Sequence, residues 1–206
     1  MDAIRSSKQF DKWSQTYDHG IWSKYFRRGY EKCASFINKE GELSVLDVGC
    51  GTASLLPYLL RQNPDIHYTG LDLSRGMIDI AQQRYEGLNI KFQVGDVTTF
   101  STSDRYDYIF CLNSFHHYEE HQEEVLAKFY ASLKPGGELV LLDPIKDGVI
   151  RKIWSFLLRR IFFNEPSVVY LTSRRLGEML NKVGFEIKAA EYLVYVVKLT
   201  VAQKVG

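Results

Sequence analysis

Residues 43–52 read Leu-Ser-Val-Leu-Asp-Val-Gly-Cys-Gly-Thr, and this stretch decides the fold. Its first six residues form a β-rich apolar run with the length of a buried strand. Gly49 and Gly51 follow directly, where glycine permits a tight turn and lets a ligand approach the backbone. A glycine turn between a strand and a helix predicts a nucleotide-cofactor site, but a single G-x-G also occurs in turns that hold no ligand.

Short β-rich runs alternate with amphipathic stretches on both sides of this turn, which is typical of βαβ units around a parallel sheet. The runs are Leu43–Val48, His67–Leu71, Ile90–Val94, Tyr106–Leu112 and Glu138–Leu142. Two further runs, Phe185–Tyr192 and Val194–Val201, leave almost no room for a helix between them, so we expect them to pair antiparallel. The sequence therefore predicts an α/β fold with five parallel strands and a C-terminal antiparallel pair.

Helices are predicted between and beside these strands, on both faces of the sheet. They are Ala53–Arg61, a helix that begins after its cap Ser74, residues 119–132 and residues 147–170. The third is expected to end at Leu133-Lys134-Pro135-Gly136-Gly137, which turns into the fifth strand. Aromatic and apolar residues recur at helical spacing in the first 40 positions, among them Phe10, Trp13, Tyr17, Ile21, Trp22, Tyr25 and Phe26.

Charge and cysteine content narrow the function classes. Lys and Arg number 26 against 25 Asp and Glu, so no global positive field favours nucleic acid. Cys33, Cys50 and Cys111 are far apart and lack metal-ligand spacing, which predicts no metal site and free thiols in a reducing cytoplasm. No signal peptide and no stretch of about 18 apolar residues is present, so stable membrane insertion is not expected.

Asp72 strengthens the prediction from the glycine turn. It ends the second β-rich run and lies 21 residues after Gly51. An acidic residue about 20 residues after such a turn is placed to bind a ribose hydroxyl pair. The alternative is a charge that stabilises the next helix N-terminus, but Ser74 is better placed as the cap and would leave the Asp72 carboxylate free for a ligand.

Several motifs together carry a family resemblance: Val45–Thr52, Leu71–Ser74 followed by Met77, Gly95-Asp96, and Leu133–Gly137. In this order and spacing the chain resembles the class I S-adenosylmethionine-dependent methyltransferases. Within them it is similar to small-molecule enzymes of the ubiquinone/menaquinone type, whose members often open with a segment like residues 10–18, Phe-Asp-Lys-Trp-Ser-Gln-Thr-Tyr-Asp. The likeness spans residues 10–144 and, more loosely, the C-terminal strand pair.

The resemblance implies a Rossmann-like, seven-stranded single domain over residues 1–206. Its expected parts are a helical N-terminal lid (1–40), a cofactor-binding core (41–144), an acceptor cover and helix (145–183) and a strand pair (184–206). The implied cofactor is S-adenosylmethionine, with S-adenosylhomocysteine as its product. The implied partner is a small-molecule acceptor rather than nucleic acid, and a homodimer is one assembly that the sequence leaves open.

Roles for single residues also come from the resemblance. Asp47, Gly49, Cys50 and Gly51 would hold the methionine end of the cofactor, and Asp72 would bind both ribose hydroxyls. The remaining implied contacts are Leu73 and Met77 at the adenine or sugar, Asp96 and Val97 at the adenine edge, and Asn113 at the sulfonium side.

Two positions leave questions open. Tyr17 would close over the amino-acid end of the cofactor, yet an aromatic residue on an N-terminal helix is as often part of the core. Ala53 stands where the family pattern often has a third glycine, and it leaves less room than glycine.

His116 and His117 are the candidate catalytic residues, because they follow the fourth strand at the carboxyl edge of the sheet. Methyl transfer from a sulfonium is an in-line displacement with an activated leaving group, so a general base helps only where the acceptor must lose a proton. The alternative interpretation is a loop whose imidazoles only hydrogen-bond to neighbours.

Residues 149–163 are both aromatic and basic, and they fall where such enzymes often carry an acceptor cover. They would suit a hydrophobic or aromatic acceptor. A helix packed on the sheet is an equal alternative, and surface association with anionic lipid is a third that would need a longer basic face.

Two rival functions remain. A nicotinamide-dependent oxidoreductase shares the glycine turn and the distal acid, but its G-x-G-x-x-G pattern needs glycine at position 54, where this chain has Ser54. A non-catalytic, cofactor-binding regulatory module would keep the fold without the chemistry.

Overall fold

The computed structural model describes residues 10–12, 14, 21–100, 103–157, 168–193 and 195–206. The helices are α1 (Ile21–Ala34), α2 (Leu56–Gln62), α3 (Arg75–Arg84), α4 (Gln122–Ser132), α5 (Gly148–Leu157) and α6 (Ser173–Val183). The strands are β1 (Leu43–Val48), β2 (Ile66–Asp72), β3 (Lys91–Val94), β4 (Tyr106–Leu112), β5 (Leu133–Pro144), β6 (Phe185–Tyr192) and β7 (Val197–Lys204). A 3₁₀ segment, Phe115–His121, directly precedes α4.

The strands form one seven-stranded sheet in the order β3-β2-β1-β4-β5-β7-β6. Strands β1 to β5 pair in parallel, and β7 lies antiparallel between β5 and β6. The predicted five parallel strands and C-terminal antiparallel pair are therefore confirmed. The chain order reverses beside β1, because β2 and β4 lie on either side of it, and ligands of open α/β sheets bind at such a switch point.

Helices cover both faces of the sheet. Successive side chains of a strand point to opposite faces, so neighbouring residues pack against different helices. On one side Val45 and Phe110 pack with residues of α1 and α2. On the other side Leu46 and Ile109 pack with residues of α4 and α6. The prediction of helices on both faces is thus confirmed.

Three predicted boundaries were wrong. The helix predicted over residues 119–132 begins at Gln122, because Glu119 has a non-helical backbone. The helix after β1 begins at Leu56 rather than Ala53, because Ala53 has a left-handed backbone with a φ of 57° and the chain still turns there. Strand β5 begins at Leu133, within the stretch predicted as a turn, because Leu133 already pairs with Tyr106 before the register shifts. Pro135, Gly136 and Gly137 therefore lie within β5 and do not interrupt it.

Two further predictions extend beyond the described residues. The helix predicted over residues 147–170 is observed as α5, residues 158–167 lie outside the described part of the chain, and residues 168–170 are not helical. The last strand begins at Val197 rather than residue 194, which is itself not described. Among the residues that the structure describes, no helix is long and apolar enough to cross a membrane.

Candidate active site

A cavity of about 270 Å³ lies at the carboxyl edge of the parallel strands, where β1, β2 and β4 end. Its walls come from the loops after these strands and after β3, from α3 and from the 3₁₀ segment. The predicted site residues that line it are Gly49, Gly51, Asp72, Leu73, Met77, Asp96, Val97, Asn113 and His117. Asp47, Cys50 and His116 are not among the lining residues, and Tyr17 lies outside the described part of the chain.

The glycine turn is held against the neighbouring loop. Gly49 has a φ of 71°, and a Cβ atom added to it would lie 2.5 Å from the Cβ atom of Ser114. The Ser114 hydroxyl donates a hydrogen bond to the carbonyl of Val48 at 3.0 Å, which fixes the two loops together. Glycine is therefore required at position 49 by the packing of the protein itself, in addition to any approach by a ligand.

Asp72 clamps two loops through both carboxylate oxygens. Its Oδ2 accepts the backbone N–H of Gly51 and its Oδ1 accepts that of Ser74, each at 2.8 Å. The expectation that the carboxylate is free was therefore wrong, although each oxygen keeps a second lone pair for a ligand. Burial raises the pKa of Asp72, and the hydrogen bonds from Ser74 and Gly51 oppose that shift.

The predicted helix cap at Ser74 is confirmed. The Ser74 hydroxyl accepts the backbone N–H of Met77 at 3.1 Å and donates to Asp11 Oδ1 at 2.5 Å. Asp11 Oδ1 also accepts the backbone N–H of Gly76 at 3.0 Å. The N-terminal segment is thereby attached to the start of α3, and its Phe10 reaches the cavity wall.

Asp47 lies behind the turn. It is buried, and its Oδ2 accepts the hydroxyl of Tyr68 at 2.7 Å. Burial raises the pKa of Asp47 to about 7, while the hydrogen bond from Tyr68 acts in the opposite direction. Cys50 is buried next to it, where an added Cβ on Gly70 would meet the Cys50 sulfur at 2.9 Å.

Asp96 occupies the cavity wall after β3. Its Oδ1 accepts both the backbone N–H and the hydroxyl of Thr98 at 2.8 Å, which fixes the loop. Thr98 also lines the cavity, and the buried Val97 lies between the two. Together with Met77 of α3, these residues form a wall that is apolar in part and carries one carboxylate.

The two histidines differ in position. His117 lines the cavity, and its buried Nδ1 has no hydrogen-bond partner among the described residues. Burial and the neighbouring His116 lower the pKa of His117 well below the usual 6.5, so the ring is neutral. His116 lies behind it with ring centroids 4.2 Å apart, and its Nδ1 is 2.8 Å from Oδ1 of Asp143, in a buried pair.

Sequence reasoning missed several residues of the wall. Ser114, Tyr118 and Glu119 all line the cavity. Glu119 has a φ of 46°, a conformation that a non-glycine residue adopts at a cost and that is frequent at functional sites. No sequence pattern marks these positions, and only their place after β4, beside the predicted Asn113, could have indicated them.

The family described as methyltransferase domain matches residues 45–137. This range holds every cavity residue named above except Phe10. The match to a methyltransferase domain thus covers slightly less than half of the chain, including most of the cavity. The resemblance predicted from the sequence is therefore confirmed.

Relatives of known name agree with this domain. The chain is 27% identical over 203 residues to the demethylmenaquinone methyltransferase of Thermotoga maritima, covering 89% of this chain and 86% of that protein. It is 30% identical over 121 residues to a malonyl-[acyl-carrier protein] O-methyltransferase of Priestia megaterium, covering 59% of this chain and 43% of that protein. Among the first curated relatives that it matches, the chain spans about half of the length or less.

A solved structure shows the same fold. The plantazolicin methyltransferase BpumL, in complex with a pentazolic desmethylPZN analog and SAH, superposes with a TM-score of 0.73 at 18% identity. The match covers 99% of this chain and 97% of that chain. The Rossmann-like methyltransferase fold thus extends over the sequence, including the C-terminal strand pair.

Proposed function

We propose that this protein transfers the methyl group of S-adenosylmethionine to a small hydrophobic or aromatic acceptor. The observation that carries the proposal is the convergence of the glycine turn, Asp72 and Asp96 on one cavity inside the matched domain. The matched relatives are named as methyltransferases, which supports the reaction class.

The cavity residues fit this cofactor chemically. Asp72 and Asp96 are among the carboxylates that line the cavity, and carboxylates accept hydrogen bonds from ribose hydroxyls and from an exocyclic amine. The side chains of Leu73, Met77 and Val97 offer an apolar contact for the flat faces of adenine. Bound there, the cofactor supplies a methyl group on a positively charged sulfur that is already an activated leaving group.

The protein's own task in such an in-line displacement is to orient the acceptor and to exclude water. Because the pKa of His117 is lowered and its Nδ1 has no hydrogen-bond partner within the described part of the chain, His117 is our candidate for accepting a proton from a hydroxyl acceptor. His116 does not line the cavity, so we assign it a positioning role. Its hydrogen bond to Asp143 fixes the ring on which His117 packs.

Calorimetric titration with S-adenosylmethionine and with the nicotinamide cofactors tests the cofactor. We expect binding of the sulfonium compound alone, weakened about tenfold to a hundredfold in Asp96→Asn because one charged hydrogen bond is lost. The matched control Asp65→Asn changes an exposed carboxylate directly before β2 and should bind normally. Absence of binding at millimolar cofactor would overturn the proposal.

Release of S-adenosylhomocysteine tests the reaction. Phenols, quinols, amines and carboxylic acids would be screened as acceptors with the wild-type protein. We expect turnover with at least one apolar or aromatic acceptor. Tight cofactor binding without product from any acceptor would instead support the non-catalytic regulatory module.

A further inference from the structure

Helix α5 has the reverse of the usual arrangement for a surface helix. Five of its large apolar residues are between 44% and 73% exposed, and we call them the α5 apolar face: Val149, Ile150, Ile153, Trp154 and Phe156. The one buried side chain of the helix is Ser155, at 4% exposure. A surface helix of a monomeric domain normally directs its apolar stripe to the core.

Specific contacts hold the helix in this orientation. The guanidinium carbon of Arg151 lies 4.1 Å from the ring centre of Tyr192 and 5.1 Å from that of Tyr195. Its Nε also donates to the carbonyl of Tyr195 at 2.7 Å. The polar side of α5 is therefore attached to the turn between β6 and β7, and the α5 apolar face points away from the protein.

Contiguous exposed apolar side chains of this kind mark interaction sites, because burying them against a partner would be favourable. None of the described residues of α5 lines the cavity, so this face does not cover the described site. Its apolar surface needs a different occupant.

The charge pattern indicates that occupant. Helix α5, residues 148–157, contains two basic residues and no acidic one, whereas the rest of the sequence has 24 basic against 25 acidic residues. Basic residues interleaved with Trp, Phe and Ile are typical of helices that lie in the headgroup region of anionic membranes. A second copy bound by a two-fold axis would bring this positive segment against itself, which like-charge repulsion disfavours.

We infer that the α5 apolar face docks on the surface of a bilayer that contains anionic lipid. The apolar side chains enter the boundary between headgroups and acyl chains, and Lys152, which is exposed on the same helix, contacts the lipid phosphates. Helix α5 follows β5 at the carboxyl edge of the sheet, the edge at which the cavity lies. The inference does not depend on methyl transfer.

Vesicle flotation of the full chain tests this inference. We expect the wild type to float with vesicles of phosphatidylcholine mixed with phosphatidylglycerol, and to float less with phosphatidylcholine alone or at high salt. The double variant Ile153→Ser, Phe156→Ser should lose about tenfold or more in apparent affinity for the mixed vesicles. Both residues are exposed, so circular dichroism should show an unchanged fold.

The matched control is Leu88→Ser, Val205→Ser, since these residues are 53% and 51% exposed against 54% and 52% for Ile153 and Phe156. It should float like the wild type. The inference is wrong if the wild type does not float, or if both double variants float equally well. Sedimentation that shows a dimer abolished only by the α5 variant, without vesicle binding, would assign the face to a second copy of the chain instead.

Discussion

At the scale of single residues, Asp47 couples the stability of the fold to pH. Its pKa is about 7 in the folded protein, against 3.8 for an ordinary aspartate. Below the lower value both the folded and the unfolded chain hold the proton. Between the two values only the folded chain holds it, so the free energy of unfolding falls as pH rises and levels off above about pH 7.

The variant Asp47→Asn should remove this dependence, because the amide does not ionise and its oxygen can still accept the Tyr68 hydroxyl. We expect wild type and variant to differ little near pH 4, and the variant to gain relative stability up to about 4 kcal/mol above pH 7. Urea unfolding across this range measures the difference. If the difference in free energy of unfolding between wild type and Asp47→Asn were the same at all pH values, the raised pKa would be contradicted. The variant Asp65→Asn, at an exposed position, serves as the control.

Gly49 provides a second residue-scale prediction. Gly49→Ala should lower the free energy of unfolding by about 1–2 kcal/mol for the left-handed backbone, and further for the contact with Ser114. Gly87→Ala is the matched control, since Gly87 has a φ of 84° with nothing within 4 Å of an added Cβ. Gly49→Ala should lose more free energy of unfolding than Gly87→Ala, and this difference should shrink in the double variant Gly49→Ala, Ser114→Gly. A difference of the same size in the double variant would show that the contact with Ser114 is not the cause.

His117 sets the expected pH profile of the reaction. Because its pKa is lowered well below 6.5, the base stays unprotonated at neutral pH, and the acid limb of kcat/KM should lie below that value. His117→Gln should lower kcat by about a hundredfold or more with unchanged cofactor affinity. His67→Gln, at an exposed position on β2, is the control. Full turnover in His117→Gln with a hydroxyl acceptor would rule out the role as base.

The residues of the site could be predicted only where they belong to a backbone pattern. Gly49 and Asp72 were found because turns and strand ends leave a signature in sequence, whereas Asp96 came from the family resemblance. Burial raises the pKa of Asp47, and the hydrogen bond from Tyr68, which is 21 positions away in sequence, opposes that shift. Such a pairing is set by the register of β1 and β2, and no local pattern contains it.

At the scale of elements, the caps of α3 and α6 can be compared directly. Ser74 caps α3 and also holds Asp11, whereas Thr172 caps α6 by accepting the backbone N–H of Arg175 at 3.2 Å. Ser74→Ala and Thr172→Ala should each cost about 1 kcal/mol of stability. Only Ser74→Ala should also weaken cofactor binding, because α3 carries Met77 in the cavity wall. Equal effects of both variants on binding, measured by calorimetry, would contradict this assignment.

The element boundaries show where local reasoning fails. The apolar runs predicted every strand of the sheet, and most clearly β1 and β4, because burial on both faces leaves a continuous β-rich run. The beginnings of α2 and β5 were wrong since tertiary contacts decide them. Leu133 joins the sheet by pairing with Tyr106, and Ala53 adopts a left-handed turn that its residue type disfavours.

At the scale of the whole molecule, one sheet supplies both hydrophobic cores. Ile109 and Phe110 are neighbours on β4, yet each is fully buried in a different core. If either core were lost, the same strands would expose one apolar face to water. The two cores should therefore unfold as one cooperative unit.

Ile109→Ala and Phe110→Ala test this cooperativity. Each should lower the free energy of unfolding by about 2–5 kcal/mol, because a buried side chain is removed and a cavity remains. In both variants the urea transitions followed by far-UV and near-UV circular dichroism should still coincide. Leu88→Ala, at an exposed position, should change stability by less than about 0.5 kcal/mol. Separate transitions in either core variant would mean that the sheet does not couple the two cores, and that each side of the molecule folds with its own helices.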